Sequence, residues 1–130
     1  MRPALLAVLA LAVLAAPGCG PDARLVYAED TARITAAALV EIETSGGEDA
    51  PEPLQLALER THVRLDEIEI SIEQWRDHSG SLAYRTHAPC LRAALIAVRD
   101  ALLAASMPVP SDLDEADAML AEVADHTCDP

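Results

Sequence analysis

Apolar residues recur at alternating steps of three and four residues along four stretches of this chain, the spacing that places them on one face of an α-helix. No stretch alternates apolar and polar residues with a period of two, so the pattern predicts no β-strand. Each stripe therefore predicts one amphipathic helix. In chain order the stripes are Leu25, Ala28, Ala32, Thr35, Leu39 and Ile42; Leu54, Leu58, Thr61, Leu65, Ile68, Ile72 and Trp75; Ala88, Leu91, Leu95, Val98, Leu102 and Ala105; and Leu113, Ala116, Leu120 and Val123.

Glycine, proline and capping residues separate the four stripes. Residues 45–53 (SGGEDAPEP) are predicted to form a loop, residues 78–80 end the second helix, and Met107-Pro108 ends the third. Ser111, followed by Asp114 three residues later, is predicted to cap the start of the fourth helix. Four amphipathic helices with short connections predict an all-α fold, an up-down antiparallel four-helix bundle that occupies residues 22–130.

Pro89 determines where the third helix is expected to begin. A proline in a helix interior lacks the N–H that would bond to the carbonyl four residues earlier, and its ring crowds that carbonyl. In the first turn the missing N–H costs little. We therefore expect the third helix to start near Thr86 or His87, with residues 80–86 forming a turn or a short helical piece.

The segment before the bundle has the composition of a secretory signal. Arg2 gives it a positive start, and residues 4–16 form an apolar run of Ala, Leu and Val. This run is shorter than the roughly 20 residues that a bilayer-crossing helix needs. It ends in Ala16-Pro17-Gly18-Cys19, in which small residues precede a cysteine.

These residues resemble the signal of a bacterial lipoprotein, and the resemblance covers residues 1–19 only. It implies that residues 1–18 are removed, that Cys19 is acylated (for example with palmitate), and that residues 19–21 are the attachment and a short linker. Gly20 follows the cysteine, which favours the outer membrane, facing the periplasm. Ala16 stands where such signals usually have Leu, and Pro17 is unusual. An ordinary cleavage before Cys19, leaving a secreted or soluble periplasmic protein, is the alternative.

The other two cysteines are predicted to form a disulfide. Cys90 and Cys128 are equidistant from residue 109, which lies in the turn between the third and fourth helices. Residues equidistant from the turn of an antiparallel helix pair lie at the same height, and an exported protein can form disulfides. A competing prediction uses His87, His126, Cys90 and Cys128 as ligands of zinc or copper, although neither pair has a recurrent zinc-motif spacing.

The charge of the chain limits its partners. The formal net charge is −13, and loss of Arg2 with the signal makes it more negative by one. Such a charge argues against nucleic acid, whose binding depends on Lys and Arg, and favours a basic protein surface or cations. The second helix carries an acidic row, which is either a solvated face or a docking strip. This row comprises Asp66, Glu69, Glu73 and Asp77.

These features predict a small acidic cell-envelope lipoprotein with a non-catalytic binding or accessory role and no cofactor. A periplasmic metal- or cation-binding protein is the alternative. We expect no enzyme activity, because the sequence contains no motif that assembles an acid, a base or a nucleophile. With so short a linker the bundle would lie against the membrane. The loop 45–53 and the turn 107–110 would then face away from it, as the expected partner-binding surface.

Overall fold

The computed structural model describes residues 22–46, 49–78, 81–123 and 127–128. Four helices follow one another: α1 Ala23–Gly46, α2 Glu52–His78, α3 Ser81–Ala104 and α4 Ser111–Val123. Each packs against its sequence neighbour, and α4 packs against α1, so the helices form a closed ring around one core. The predicted all-α, up-down antiparallel bundle is confirmed. The predicted signal, Cys19 and the linker lie outside the described residues.

The core is built from the predicted apolar stripes. Every member of the α2 stripe is buried, and Trp75, at 8% exposure, belongs to the core as its place in the stripe predicts. Only stripe members near helix ends, Leu25, Ala105 and Val123, are partly exposed. Thr35 and Thr61 can occupy core positions because each hydroxyl donates to the carbonyl four residues earlier, at 2.7 Å. Buried polar groups that keep a hydrogen bond avoid most of the cost of leaving water.

The third helix begins earlier than predicted. The expected start near Thr86 or His87 is wrong, because α3 runs without interruption from Ser81 and contains Pro89 in its interior. Tyr84 explains the extra turns: it is 2% exposed, and its ring centroid lies 5.8 Å from that of Trp75. Burial of a large aromatic side chain is worth a few kcal/mol, which offsets the hydrogen bond that Pro89 cannot make.

The end of α3 sets the direction of the chain into α4. Ser106 has a φ of 57°, the left-handed conformation common just after a helix. The N–H of Met107 donates to the carbonyl of Leu102 at 2.9 Å, and the N–H of Ser106 donates to that of Leu103 at 3.1 Å. This is the Schellman arrangement, and it satisfies carbonyls that the helix leaves without partners.

The helix pairs differ in how closely they approach. The backbones of α2 and α3 lie close together along much of their length. The backbones of α1 and α2, helices of 24 and 27 residues, are close over a much shorter stretch. The sparser pair leaves a groove on the outside of the bundle. Among the described residues, no helix is both long enough and apolar enough to cross a membrane.

Candidate functional site

The groove between α1 and α2, which we call the acidic groove, is bordered by two facing rows of side chains. Residues seven apart lie on the same face of a helix, so rows of this spacing in antiparallel helices meet in a fixed register. At one end Arg76 binds Glu29, with Nε 3.1 Å from Oε2. At the other end His62 Nε2 lies 2.5 Å from Glu43 Oε1. The rows are Glu29, Ala36 and Glu43 on α1 and His62, Glu69 and Arg76 on α2.

Small residues leave the middle of the groove open. The register of the two end pairs places Ala36 opposite Glu69, and both line a cavity of about 360 Å³. Ala32 and Ile72 line the same cavity. A second cavity of about 610 Å³ continues towards the other end. It is lined by Ile42, Glu43, Ala50, Gln55, Leu58, Glu59 and His62. The groove therefore has an apolar floor between polar walls.

The walls of the acidic groove carry unneutralised negative charge. Glu59, Glu69 and Glu73 are exposed, and within the part of the chain that the structure describes none of them forms an ion pair. The two arginines at the groove are each engaged, Arg33 with Asp30 at 3.1 Å and Arg76 with Glu29. A cation that entered the groove would therefore meet carboxylates with no competing partner.

An exposed apolar side chain lies beside the groove on α1. Val40, on α1, is 63% exposed. It lies seven residues after Arg33, which lines the groove, and therefore on the same helix face. Val40 therefore adds to the apolar surface that a partner could bury.

The predicted acidic row of α2 divides between two surfaces. All four residues are exposed. Glu69 and Glu73 line the groove, whereas Asp66 and Asp77 do not. Sequence reasoning missed the contribution of α1. The seven-residue spacing of Glu29, Ala36 and Glu43, matched by that of His62, Glu69 and Arg76, is the signal that could have revealed it.

The two remaining cysteines are joined. Cys90 and Cys128 form a disulfide with their Cα atoms 4.6 Å apart, the pairing that the sequence favoured. Because both sulfurs are bonded to each other, neither is present as the thiolate that a metal ion would need. His87 Nδ1 instead lies 4.0 Å from Glu67 Oε2. His126, the fourth proposed ligand, lies outside the described residues, and those that are described contain no group of three potential ligands.

The two connections expected to bind a partner lie at one end of the bundle. Ser45 at the end of α1 and Met107-Pro108 after α3 line a common cavity of about 240 Å³. Their expected role in partner binding stays a prediction.

Comparison with known proteins gives no match to a protein family, a curated protein or a solved structure. The function of the acidic groove is therefore inferred from the residues of this chain alone.

Proposed function

We propose that this chain is a non-catalytic binding domain of the bacterial cell envelope that holds a basic protein partner in the acidic groove. The observation that carries this proposal is the combination of an apolar floor with three exposed carboxylates, Glu59, Glu69 and Glu73, that have no ion-pair partner among the described residues. Apolar contact supplies affinity, and complementary charge orients the partner and speeds encounter.

The shape of the groove favours a helix or an extended segment over a globular surface. It runs between the antiparallel helices α1 and α2, where the buried or half-buried Ala32, Ala36 and Ile72 form a floor beside exposed glutamates. Amphipathic helices bind in grooves of this kind through apolar residues on one face. The basic residues of the partner would then meet the carboxylates of α2.

The cellular setting of the proposal rests on two features. The sequence of residues 1–19 is similar to a lipoprotein signal, and a disulfide such as Cys90–Cys128 suits an oxidising compartment. We place the domain at the outer membrane, facing the periplasm, with Cys19 as the anchor. Intact mass of the protein from its native membrane fraction tests this: acyl mass on Cys19 supports the anchor, and an unmodified Cys19 contradicts it.

The docking proposal is tested by removing two groove charges. A photocrosslinker at Ala36, on the groove floor, first identifies the partner, and the same group at the exposed Ala93 on α3 is the control for chance encounter. The affinity of the purified partner is then measured for Glu69→Gln/Glu73→Gln. We expect about tenfold weaker binding, because ion pairs between exposed side chains contribute up to about 1 kcal/mol each.

The matched control removes the same charge elsewhere. Asp100 and Glu115 are exposed on α3 and α4 and form no ion pair among the described residues. Asp100→Asn/Glu115→Gln should change the affinity less than twofold. Equal losses in the two double variants would show that only the overall charge matters and would contradict docking in the groove.

A further inference from the structure

All the aromatic side chains of the chain line one cleft. The sequence contains one Trp, two Tyr and no Phe. Tyr27 of α1, Trp75 of α2 and Tyr84 of α3 meet at the end of the bundle where α1 begins, in a cleft of about 440 Å³. Glu122 and Val123 of α4 complete it, so every helix contributes. This aromatic cleft shares no lining residue with the acidic groove.

The inner part of the aromatic cleft is apolar. The Trp75 and Tyr84 rings are tilted by 48° with their centroids 5.8 Å apart. Tyr27 adds a third ring nearer the surface, and its hydroxyl donates to Glu122 Oε2 at 2.8 Å. Loss of hydration, this hydrogen bond and the charge of Glu122 raise the pKa of Tyr27 to about 12. The Tyr27 phenol and the Glu122 carboxylate therefore form a hydrogen-bonded pair.

An exposed guanidinium lies at the mouth of the cleft. The Arg24 guanidinium lies over the Trp75 ring, with Cζ 5.9 Å from the centroid, and Arg85 also lines the cleft. Asp22 lies 3.6 Å from Arg24 Nε, but its carboxylate also accepts the Arg24 backbone N–H at 2.9 Å, a bond that lowers the pKa of Asp22. The Arg24 side chain is 76% exposed and faces water over much of its surface.

We propose that the aromatic cleft binds a small molecule with an apolar or aromatic body and one negative charge. The body would lie against the half-buried Tyr27 ring and the exposed edge of Trp75, and the charge would lie beside the Arg24 guanidinium. A cationic ligand fits less well, because the Arg24 guanidinium already occupies the cation position over Trp75. The volume lies within the range of about 300–1,000 Å³ that is common for small-molecule sites.

The first test uses anilinonaphthalene sulfonate, a probe with this chemistry. Trp75 is the only tryptophan, so energy transfer from it to the probe reports binding to the folded chain. Calorimetry on the full chain should give one probe per chain. Absence of binding at millimolar probe, or binding without energy transfer, would overturn the proposal.

Two arginine variants locate the bound probe. Arg24 and Arg33 are both on α1, are 76% and 71% exposed, and each lies near one aspartate. Arg24→Gln should weaken probe binding at least fivefold, and Arg33→Gln should change it less than twofold. A larger effect of Arg33→Gln would place the probe in the acidic groove, and equal effects would show a non-specific attraction. Either result would contradict the cleft as the site.

Competition identifies the source of the ligand. Displacement of the probe by decanoate would indicate a lipid-derived acid, and displacement by naphthoate alone would indicate a soluble aromatic acid. The uncharged decanol should compete at least tenfold more weakly than decanoate. Displacement by neither acid, or by the alcohol as well as by the acid, would overturn the assignment of an anionic ligand.

Discussion

At the scale of single residues, the Tyr84 hydroxyl is in an uncommon position. It is buried, and among the described residues it has no hydrogen-bond partner. The nearby Thr31 hydroxyl donates instead to the carbonyl of Tyr27, at 2.8 Å. Burial raises the pKa of Tyr84. A buried polar group without a partner costs about 1–3 kcal/mol, so this hydroxyl lowers the stability of the fold while its ring adds to it.

Replacing that hydroxyl provides the residue-scale prediction. Tyr84→Phe keeps the ring against Trp75 and removes the unpaired group, so we expect the free energy of unfolding to rise by about 1 kcal/mol in urea denaturation. Tyr27→Phe is the matched control, because it removes a hydroxyl that does donate, to Glu122. It should leave stability unchanged or slightly lower. A loss of stability in Tyr84→Phe would mean that its hydroxyl has a hydrogen-bond partner in solution.

At the scale of the helices, periodicity predicted the core but not the groove. The α2 stripe from Leu54 to Trp75 was identified from spacing alone, because a helix buries one face and the apolar residues mark it. The acidic groove depends on how far apart two neighbouring helices lie. That distance follows from packing on both sides of each helix, which the pattern of one helix does not contain.

The start of α3 shows that a contact between helices can override a local sequence signal. Pro89 alone predicts a break, because a proline inside a helix loses a backbone hydrogen bond and destabilises the helix. The structure continues the helix back to Ser81 because Tyr84 is buried against Trp75 of another helix. Tertiary contact therefore outweighs a local preference, and the sequence near Pro89 holds no sign of that contact.

Removing this proline provides the element-scale prediction. Pro89→Ala restores an N–H that can donate to the carbonyl of Arg85, so the free energy of unfolding should rise by about 1 kcal/mol or more. Pro53→Ala is the control, since Pro53 lies in the first turn of α2, where a helix leaves its N–H groups without intrahelical partners. That variant should be nearly neutral. A Pro89→Ala chain less stable than the original would show that the shape of the proline ring is needed beside the disulfide.

At the scale of the whole molecule, a core without large aromatic clusters stabilises a chain of large negative net charge. The largest fully buried side chains are mainly Leu, Ile, Val and Thr, and the sequence contains no Phe. A net charge of −13 favours expansion through self-repulsion. The Cys90–Cys128 disulfide opposes it, because it ties the chain after α4 to α3 across a separation of 38 residues. A closed loop of that length lowers the entropy of the unfolded chain.

Breaking the disulfide is the prediction that belongs to this scale. For a loop of this length the chain-entropy account gives about 4 kcal/mol, a large part of the roughly 5–15 kcal/mol typical of a domain. Urea denaturation should therefore show Cys90→Ala/Cys128→Ala less stable than the oxidised chain by about that amount. Added reductant should lower the stability of the original chain and leave the double variant unchanged. Added salt should raise the stability of both chains, because it screens the repulsion between carboxylates. A loss below about 1 kcal/mol would mean that the unfolded chain already holds the two ends close together, and that helix packing alone sustains the bundle.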